Sequence, residues 1–304
     1  MRKLLLIGVG AIVAVLLTVT VLVPVTDDAS NPSTVDVIIM DGQSNAAYST
    51  HTVSAAELNA QYTKAPTHTL LYWGTATGPA ISATGLYPMY ADGAYTIGGY
   101  GPVLANEYSQ RSGHDVAYLN FGVPGYKINQ LIPGSSAGDE AITSLSSAMT
   151  ALSERYDRVN CVAWCWAQGE ADSTGSINAY ISDFQHLNGA LSERGFRDCY
   201  IIHTRDVYGG NANIAQSRIA ASDGNVKIVC QYTEEFTTAD GMIGGSGDEI
   251  HYTQKGRNAI AASLADILPV TETQTTAEKL IPIIPVIVVA GLVLAVAVTF
   301  ARRE

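Results

Sequence analysis

The sequence predicts a doubly wound α/β fold, in which α-helices cover both faces of a parallel β-sheet. Short β-type runs alternate with helix-type runs along the chain, as they do in three-layer α/β/α sandwiches. The β-type runs are continuously apolar, which is typical of strands that are buried on both faces. All of these runs lie within residues 34–270, a length that suits a single domain.

The β-type and helix-type runs define the predicted order of elements. Strands are predicted at residues 35–40, 115–121, 161–166, 199–204 and 226–231. Helices are predicted at residues 101–111, 139–156, 177–193, 212–221 and 253–268. In doubly wound sheets, ligands bind at the carboxyl ends of the strands. We therefore expect the functional residues in the loops that follow the strands.

Both ends of the chain are apolar enough to cross a membrane. An almost uninterrupted apolar run covers residues 4–25, and about 20 such residues span a bilayer core of roughly 30 Å. Because this run is longer than the usual signal-peptide core, we predict a signal anchor over residues 1–25, with a cleaved signal peptide as the alternative. A second apolar run predicts a transmembrane helix over residues 280–300.

These two segments determine the predicted topology. Polar residues 26–33 and 271–279 are interpreted as linkers, and residues 301–304 as a cytoplasmic tail. Basic residues lie at both extreme ends, and the positive-inside rule keeps such residues in the cytoplasm. The central domain is therefore expected outside the cell and attached to the cell membrane.

The net charge and the cysteine spacing argue against a nucleic-acid partner and a metal site. The formal net charge of −11 argues against a nucleic-acid partner, which requires a basic surface. None of the four cysteines forms a Cys-x-x-Cys pair, so no metal site is predicted. Cys161 and Cys199 each begin a strand-like run, and the sequence leaves two alternatives open for them. They form a disulfide between neighbouring strands, or they are small buried thiols.

The first strand ends in the run Asp41-Gly42-Gln43-Ser44-Asn45. A glycine before a serine at a strand-to-helix turn lets the backbone bend tightly and exposes the serine hydroxyl at the sheet edge. The Ser44 amide would then lie near a helix N-terminus, where it can stabilise an oxyanion. On its own, the run fits a helix-capping serine equally well.

The next two strand ends carry candidate hydrogen-bond donors for the same site. The second ends in a loop with Gly125, and a glycine there can present its bare N–H to a substrate oxygen. The third ends in Gln168, an uncharged side-chain donor, which is followed by Glu170 and Asp172. These two acids resemble the carboxylate pair of a glycosidase. We interpret them instead as groups that position the Gln168 loop and the nucleophile turn.

The loop before the last helix supplies the candidate base. Asp248 and His251 are three residues apart, so the carboxylate can hold the Nδ1–H of the imidazole and leave Nε2 free as the base. A rival pair is His203, at the end of the fourth strand, with Asp206. The family resemblance described next favours His251, because that family places its histidine in the loop before the last helix.

Together these four blocks resemble the SGNH hydrolase superfamily, and most closely its sialate O-acetylesterase and acetylxylan esterase branch. The resemblance covers the whole central domain. It implies a flavodoxin-like, five-stranded parallel sheet of order 2-1-3-4-5. It also implies a catalytic triad of Ser44, His251 and Asp248, and an oxyanion hole from the Ser44 amide, the Gly125 amide and the Gln168 side chain. The residues expected to support the site are Gln43, Asn45, Glu170 and Asp172.

The expected function is that of a membrane-anchored extracellular carbohydrate O-acetylesterase of sialate or xylan type. Its partner is an O-acetylated glycan, and two-step acyl transfer requires no cofactor. One alternative is a catalytically inactive glycan-binding surface protein on the same fold. Another is an SGNH esterase or acetyltransferase that acts on a different acyl ester.

The long segment over residues 46–100 is rich in Thr, Tyr, Gly and Ala and lacks clear helical periodicity. We interpret it as an insertion over the active site, whose aromatic rings stack on a sugar. The alternative is an irregular loop that packs its own aromatic side chains.

Overall fold

The computed structural model describes residues 33–47, 54–82, 85–245 and 247–270. The predicted signal anchor, transmembrane helix and cytoplasmic tail lie outside these residues, as do both linkers apart from residue 33. Within the described ranges, no helix combines the length and the apolar character that crossing a bilayer requires.

The described part of the chain alternates strands and helices as the sequence predicts. The strands are β1 (Thr34–Gly42), β2 (Leu70–Thr75), β3 (Gly78–Pro79), β4 (Gly85–Pro88), β5 (Tyr90–Ala91), β6 (Ala94–Tyr95), β7 (Asp115–Asn120), β8 (Arg158–Ala167), β9 (Cys199–Ile202) and β10 (Val226–Val229). The helices are α1 (Ala55–Gln61), α2 (Gly101–Ser112), α3 (Ser136–Ser153), α4 (Ile177–Ser192), α5 (Asp206–Ser222) and α6 (Gln254–Ile267). Each predicted strand and helix is found, although α5 begins earlier than predicted.

The main sheet has the predicted strand order but is larger and mixed. Its order is β10-β9-β8-β1-β7-β2-β3, with β4 also paired to β2. The five strands β7-β1-β8-β9-β10 are parallel and confirm the order 2-1-3-4-5. The prediction of only five strands, all parallel, was wrong. The segment before α2 adds β2 in parallel to β7, and β3 and β4 then pair with β2 antiparallel.

Strand β1 lies at the centre of the three layers. Its side chains alternate between two apolar cores, as the period of two in a strand requires. Ile38 and Met40 pack in the core that contains the buried side chains of α2 and α6. Val37 and Ile39 pack in the core that contains those of α3, α4 and α5. Helices therefore cover both faces of the sheet, which confirms the three-layer α/β/α architecture.

The aromatic side chains of the segment before α2 lie mainly in the core. Tyr72, Trp73, Tyr95 and Tyr100 are all buried. The Trp73 indole N–H donates to the Ser144 hydroxyl on α3 at 2.7 Å. These buried rings cannot stack on a sugar, so the prediction that they bind substrate was wrong. The alternative, a segment that packs its own aromatic side chains, is correct for these four residues.

All four cysteines are free thiols. Cys199 pairs in register with Trp164 of β8, three residues beyond Cys161. At about 3.3 Å per residue the two cysteines are offset by roughly 10 Å, beyond the reach of a disulfide. The disulfide alternative is therefore excluded. Cys199 is the small buried thiol of the second alternative, and Cys161 is partly exposed.

Candidate active site

The turn after β1 depends on Gly42. This residue has φ of +136°, and a Cβ atom there would lie 2.1 Å from the carbonyl oxygen of Ala167 on β8. The close approach lets the Gln43 N–H donate to the same oxygen at 3.0 Å. The Ala47 N–H then donates to the Gln43 carbonyl at 2.8 Å and closes the turn. Ser44 is thereby held at the carboxyl edge of the sheet.

The structure brings the predicted nucleophile, base and acid together. The Nε2 atom of His251 lies 3.0 Å from Ser44 Oγ. The Nδ1 atom of His251 is hydrogen-bonded to the Asp248 carboxylate. Two backbone contacts shape this loop: the His251 N–H donates to the Asp248 carbonyl, and the Gly244 N–H donates to the His251 carbonyl. The imidazole is mostly buried, whereas the Asp248 side chain is half-exposed.

Asn45 joins the nucleophile turn to the histidine loop. Its amide nitrogen donates to the Ile250 carbonyl at 3.0 Å and to Glu170 Oε1 at 2.7 Å. Its amide oxygen accepts the Tyr252 N–H at 3.2 Å. One side chain thus binds the backbone on both sides of His251. Asn45 can therefore fix where the imidazole lies relative to the serine.

A cavity of about 430 Å³ opens beside the serine. The residues that line it are Gln43, Ser44, Pro124, Gly125, Glu170, Ala171, Ile250 and His251. Gly125 has φ of +75° and lies in a tight turn that the Tyr126 N–H closes onto the Val123 carbonyl. The backbone N–H groups of Ser44 and Gly125 have no hydrogen-bond acceptor among the described residues. Two unsatisfied donors are therefore available at this cavity.

The structure does not place Gln168 at the cavity. Its side chain is buried, and its amide nitrogen donates to Asp172 Oδ2 at 2.6 Å and to the Tyr126 carbonyl at 3.3 Å. Gln43, and not Gln168, lines the cavity beside Ser44. Its amide oxygen accepts the Ala171 N–H at 3.1 Å, while its amide nitrogen makes no hydrogen bond to any described residue. Sequence reasoning assigned Gln43 only a supporting role.

The two acids after β8 contact the loops around the cavity. Glu170 accepts from Asn45, and burial raises the pKa of its carboxyl group. Asp172 accepts from Gln168 and from the Ile128 N–H, which lies beyond the Gly125 turn. These contacts are suited to fixing the loops on either side of Ser44.

The rival base does not form the expected pair. The Nε2 atom of His203 is buried and has no hydrogen-bond partner in the described part of the chain. Asp206 accepts from Asn213. Across the same described ranges, no group of three His, Cys, Asp or Glu side chains is placed to hold a metal ion.

Sequence reasoning missed one buried charge beneath the turn. Arg257 of α6 is 1% exposed and donates to backbone carbonyls on both sides of the site. A signal for it was present in the sequence. Arg257 falls on the helical stripe that Ile260, Ala261 and Leu264 occupy, and a charge within an apolar stripe is unusual.

A serine at a strand end, beside a mostly buried imidazole on a doubly wound sheet, is the arrangement of a serine hydrolase. Residues 34–268 match the model of the family described as carbohydrate esterase, sialic acid-specific acetylesterase. This match covers most of the chain, and the chain belongs to that family. It is therefore a serine ester hydrolase, an acetylesterase.

Solved structures share the fold. A protein from Arabidopsis thaliana has a TM-score of 0.55 at 15% identity, covering 77% of this chain and 97% of its own. NanS has a TM-score of 0.51 at 14% identity, covering 78% of this chain and 97% of its own. At these identities the likeness shows the fold alone. A search of curated proteins gives no match.

Proposed function

We propose that this protein is a carbohydrate O-acetylesterase in which Ser44, His251 and Asp248 form the catalytic triad. The observation that carries the proposal is the contact of 3.0 Å between Ser44 Oγ and His251 Nε2, with Asp248 bonded to the other ring nitrogen. This arrangement gives a serine a base and gives the base an orienting carboxylate. The family match supports acetyl esters of carbohydrates as the substrate class.

The proposed reaction proceeds by two-step acyl transfer. His251 Nε2 takes the proton of Ser44 Oγ as the oxygen attacks the carbonyl carbon of the acetyl ester. The tetrahedral intermediate collapses, the sugar oxygen leaves with the proton from His251, and acetyl-Ser44 remains. Water, deprotonated by His251, then attacks the acetyl carbon. The bond from this carbon to Ser44 Oγ breaks, His251 returns the proton to Ser44 Oγ, and acetate is released. Asp248 holds the imidazole in the required tautomer and stabilises its charged form.

The oxyanion is proposed to bind the Ser44 N–H, the Gly125 N–H and the amide nitrogen of Gln43. Ser44 and Gly125 line the cavity, and their backbone N–H groups have no acceptor among the described residues. Gln43 adds a third donor from the same turn as the nucleophile. The Gln168 amide, which the sequence suggested for this role, is engaged with Asp172 and Tyr126. Gln168 is proposed to support the Gly125 turn instead.

Replacing each glutamine with alanine should distinguish these two roles. We expect Gln43→Ala to lower kcat for 4-nitrophenyl acetate by about a hundredfold to a thousandfold, because one oxyanion donor is lost. Gln168→Ala should lower the melting temperature more than Gln43→Ala but change kcat by less than about tenfold. The measurement is steady-state kinetics together with thermal unfolding of both variants. A folded Gln168→Ala enzyme with the larger loss in kcat would assign the donor to Gln168.

The charge of the cavity favours an uncharged sugar. Of the eight described residues that line it, Glu170 is acidic and none is lysine or arginine. The cavity therefore offers a substrate carboxylate no cationic side chain with which to pair, and the half-exposed carboxylate of Asp248 lies nearby. Like charges separated by several ångströms near a surface repel by about 1–2 kcal/mol. The preferred substrate is proposed to be a neutral acetylated sugar, as in acetylated xylan, rather than a free sialic acid.

Acetate release from matched substrates tests this preference and the proposed activity together. We expect the methyl ester of an O-acetylated sialic acid to be hydrolysed roughly fivefold to thirtyfold faster than the free acid, in kcat/KM. Added salt should reduce the difference by screening the repulsion. Faster hydrolysis of the free acid would refute the charge argument alone. Failure to release acetate from any acetylated sugar, including acetylated xylan, would refute the proposed activity.

The proposed location is the outer face of a cell membrane. The apolar runs over residues 1–25 and 280–300, with basic residues beyond them, support anchors at both ends and cytoplasmic termini. A cleaved signal peptide remains the alternative for the first run. N-terminal sequencing of the mature protein distinguishes the two, and protease treatment of intact cells tests whether the catalytic domain lies outside.

A further inference from the structure

Arg257 is a buried cation that contacts the backbone of the nucleophile turn and of the residue that follows His251. Its Nη1 atom donates to the Asn45 carbonyl at 2.7 Å, and its Nη2 atom approaches the Ser44 carbonyl at 3.4 Å. Its Nε atom donates to the Tyr252 carbonyl at 3.2 Å. Ser44 and Asn45 belong to the nucleophile turn, whereas Tyr252 directly follows His251. A single guanidinium group therefore links two segments that are 207 residues apart in the chain.

The environment of Arg257 is costly for a cation. Its side chain is 1% exposed. The guanidinium carbon lies 5.1 Å from the centre of the Tyr100 ring, whose face stabilises the charge in part. Among the described residues, no carboxylate forms an ion pair with it. Burying a charge costs free energy that an apolar side chain of similar size would not require. Stability alone therefore does not account for an arginine on this face of α6.

The backbone carbonyls that Arg257 binds belong to the two loops that carry Ser44 and His251. Proton transfer from Ser44 to His251 requires the two side chains within hydrogen-bond reach, and these side chains come from separate loops. The Asn45 side chain joins the loops through Ile250 and Tyr252. Arg257 joins them a second time, from the helix beneath. The planar guanidinium group of arginine can donate to several carbonyls in fixed directions at once, whereas lysine has only one compact ammonium group.

We propose that Arg257 is a positioning residue that holds Ser44 and His251 within the hydrogen-bond distance that proton transfer requires. This proposal rests on the proposed function. Arg257 acts through the backbone of the nucleophile turn and of the histidine loop, and it does not touch the substrate. Its loss should therefore lower the rate of the chemical step and leave substrate binding nearly unchanged.

The test compares Arg257→Met and Arg257→Lys with a matched control, Leu264→Ala. Leu264 lies on the same buried face of α6, is fully buried, and has an apolar side chain that cannot hydrogen-bond to the nucleophile turn. We expect Arg257→Met to lower kcat for 4-nitrophenyl acetate about a hundredfold, with KM within about twofold, since small misplacements of reacting groups cost this much. Arg257→Lys should recover part of the loss. Leu264→Ala should lower the melting temperature and leave kcat of the folded enzyme unchanged.

Labelling of Ser44 by a fluorophosphonate probe separates the possible outcomes. If the wild-type chain is not labelled, the proposed function fails. If the wild type and Arg257→Met are labelled at the same rate, the positioning role alone is overturned. A loss of kcat in Arg257→Met that merely follows the unfolded fraction, as in Leu264→Ala, overturns it as well. Should Arg257→Met not fold, Arg257→Lys decides: a kcat equal to that of the wild type refutes the role.

Discussion

Replacing Ser44 with alanine should lower kcat/KM for acetyl-ester hydrolysis by about four to six orders of magnitude. The substitution removes the oxygen that His251 Nε2 contacts on the nucleophile turn, and with it the covalent step. The turn itself should persist, because it is closed by backbone bonds of Gln43 and by the glycine that precedes it. What remains is the modest rate that oxyanion donors supply without a nucleophile.

The measurement is hydrolysis of 4-nitrophenyl acetate and acetate release from acetylated xylan, with the variant's melting temperature recorded alongside. A suitable control is Ser144→Ala on α3, because Ser144 is 6% exposed and Ser44 is 8% exposed. Ser144 accepts a hydrogen bond from Trp73 and lies outside the Ser44 cavity, so its loss should affect stability alone. Turnover by Ser44→Ala comparable with the wild type would exclude the proposed nucleophile.

The central sheet could be predicted because its strands are buried on both faces. Short, continuously apolar runs such as the one in β1 are typical of strands in a parallel sheet that helices cover on both sides. Strand β2 was missed because Leu70–Thr75 lies within a segment of mixed composition, and its partners β3 and β4 are only two and four residues long. Pairing with β7 stabilises β2, and a partner 40 or more residues away leaves no local pattern.

For the candidate site too, residues in local motifs could be predicted, whereas contacts between distant parts of the chain could not. Glycine before serine at a strand end, and aspartate three residues before histidine, are local patterns with a direct geometric meaning. The choice between Gln43 and Gln168 is different, because both follow strands and both carry the same amide. Gln168 turns away because two acceptors bind its amide nitrogen: Asp172, four residues later in the same loop, and the Tyr126 carbonyl in another loop. The spacing within the motif does not report the contact with Tyr126, which lies 42 residues away in the chain.

Replacing His251 with alanine should lower kcat/KM for 4-nitrophenyl acetate by at least about ten-thousandfold, whereas His203→Ala should leave it within about threefold. Without the imidazole, the Ser44 hydroxyl keeps its proton at neutral pH and the leaving group lacks an acid. His203 has no such link to the serine, because its Nε2 atom is buried without a partner among the described residues. The comparison therefore tests the assignment of the base directly.

The two histidine variants also serve as controls for each other's folding. His203 directly follows strand β9 beside the core, so His203→Ala should reduce the melting temperature while catalysis persists. His251 lies in a loop that Asn45 holds through backbone contacts on both sides, so its alanine variant should fold and melt near the wild type. A stable His251→Ala enzyme without activity, next to a less stable His203→Ala enzyme with activity, separates catalysis from stability. The opposite pattern would move the base to the end of β9 and require a different placement of Ser44 from the one in this structure.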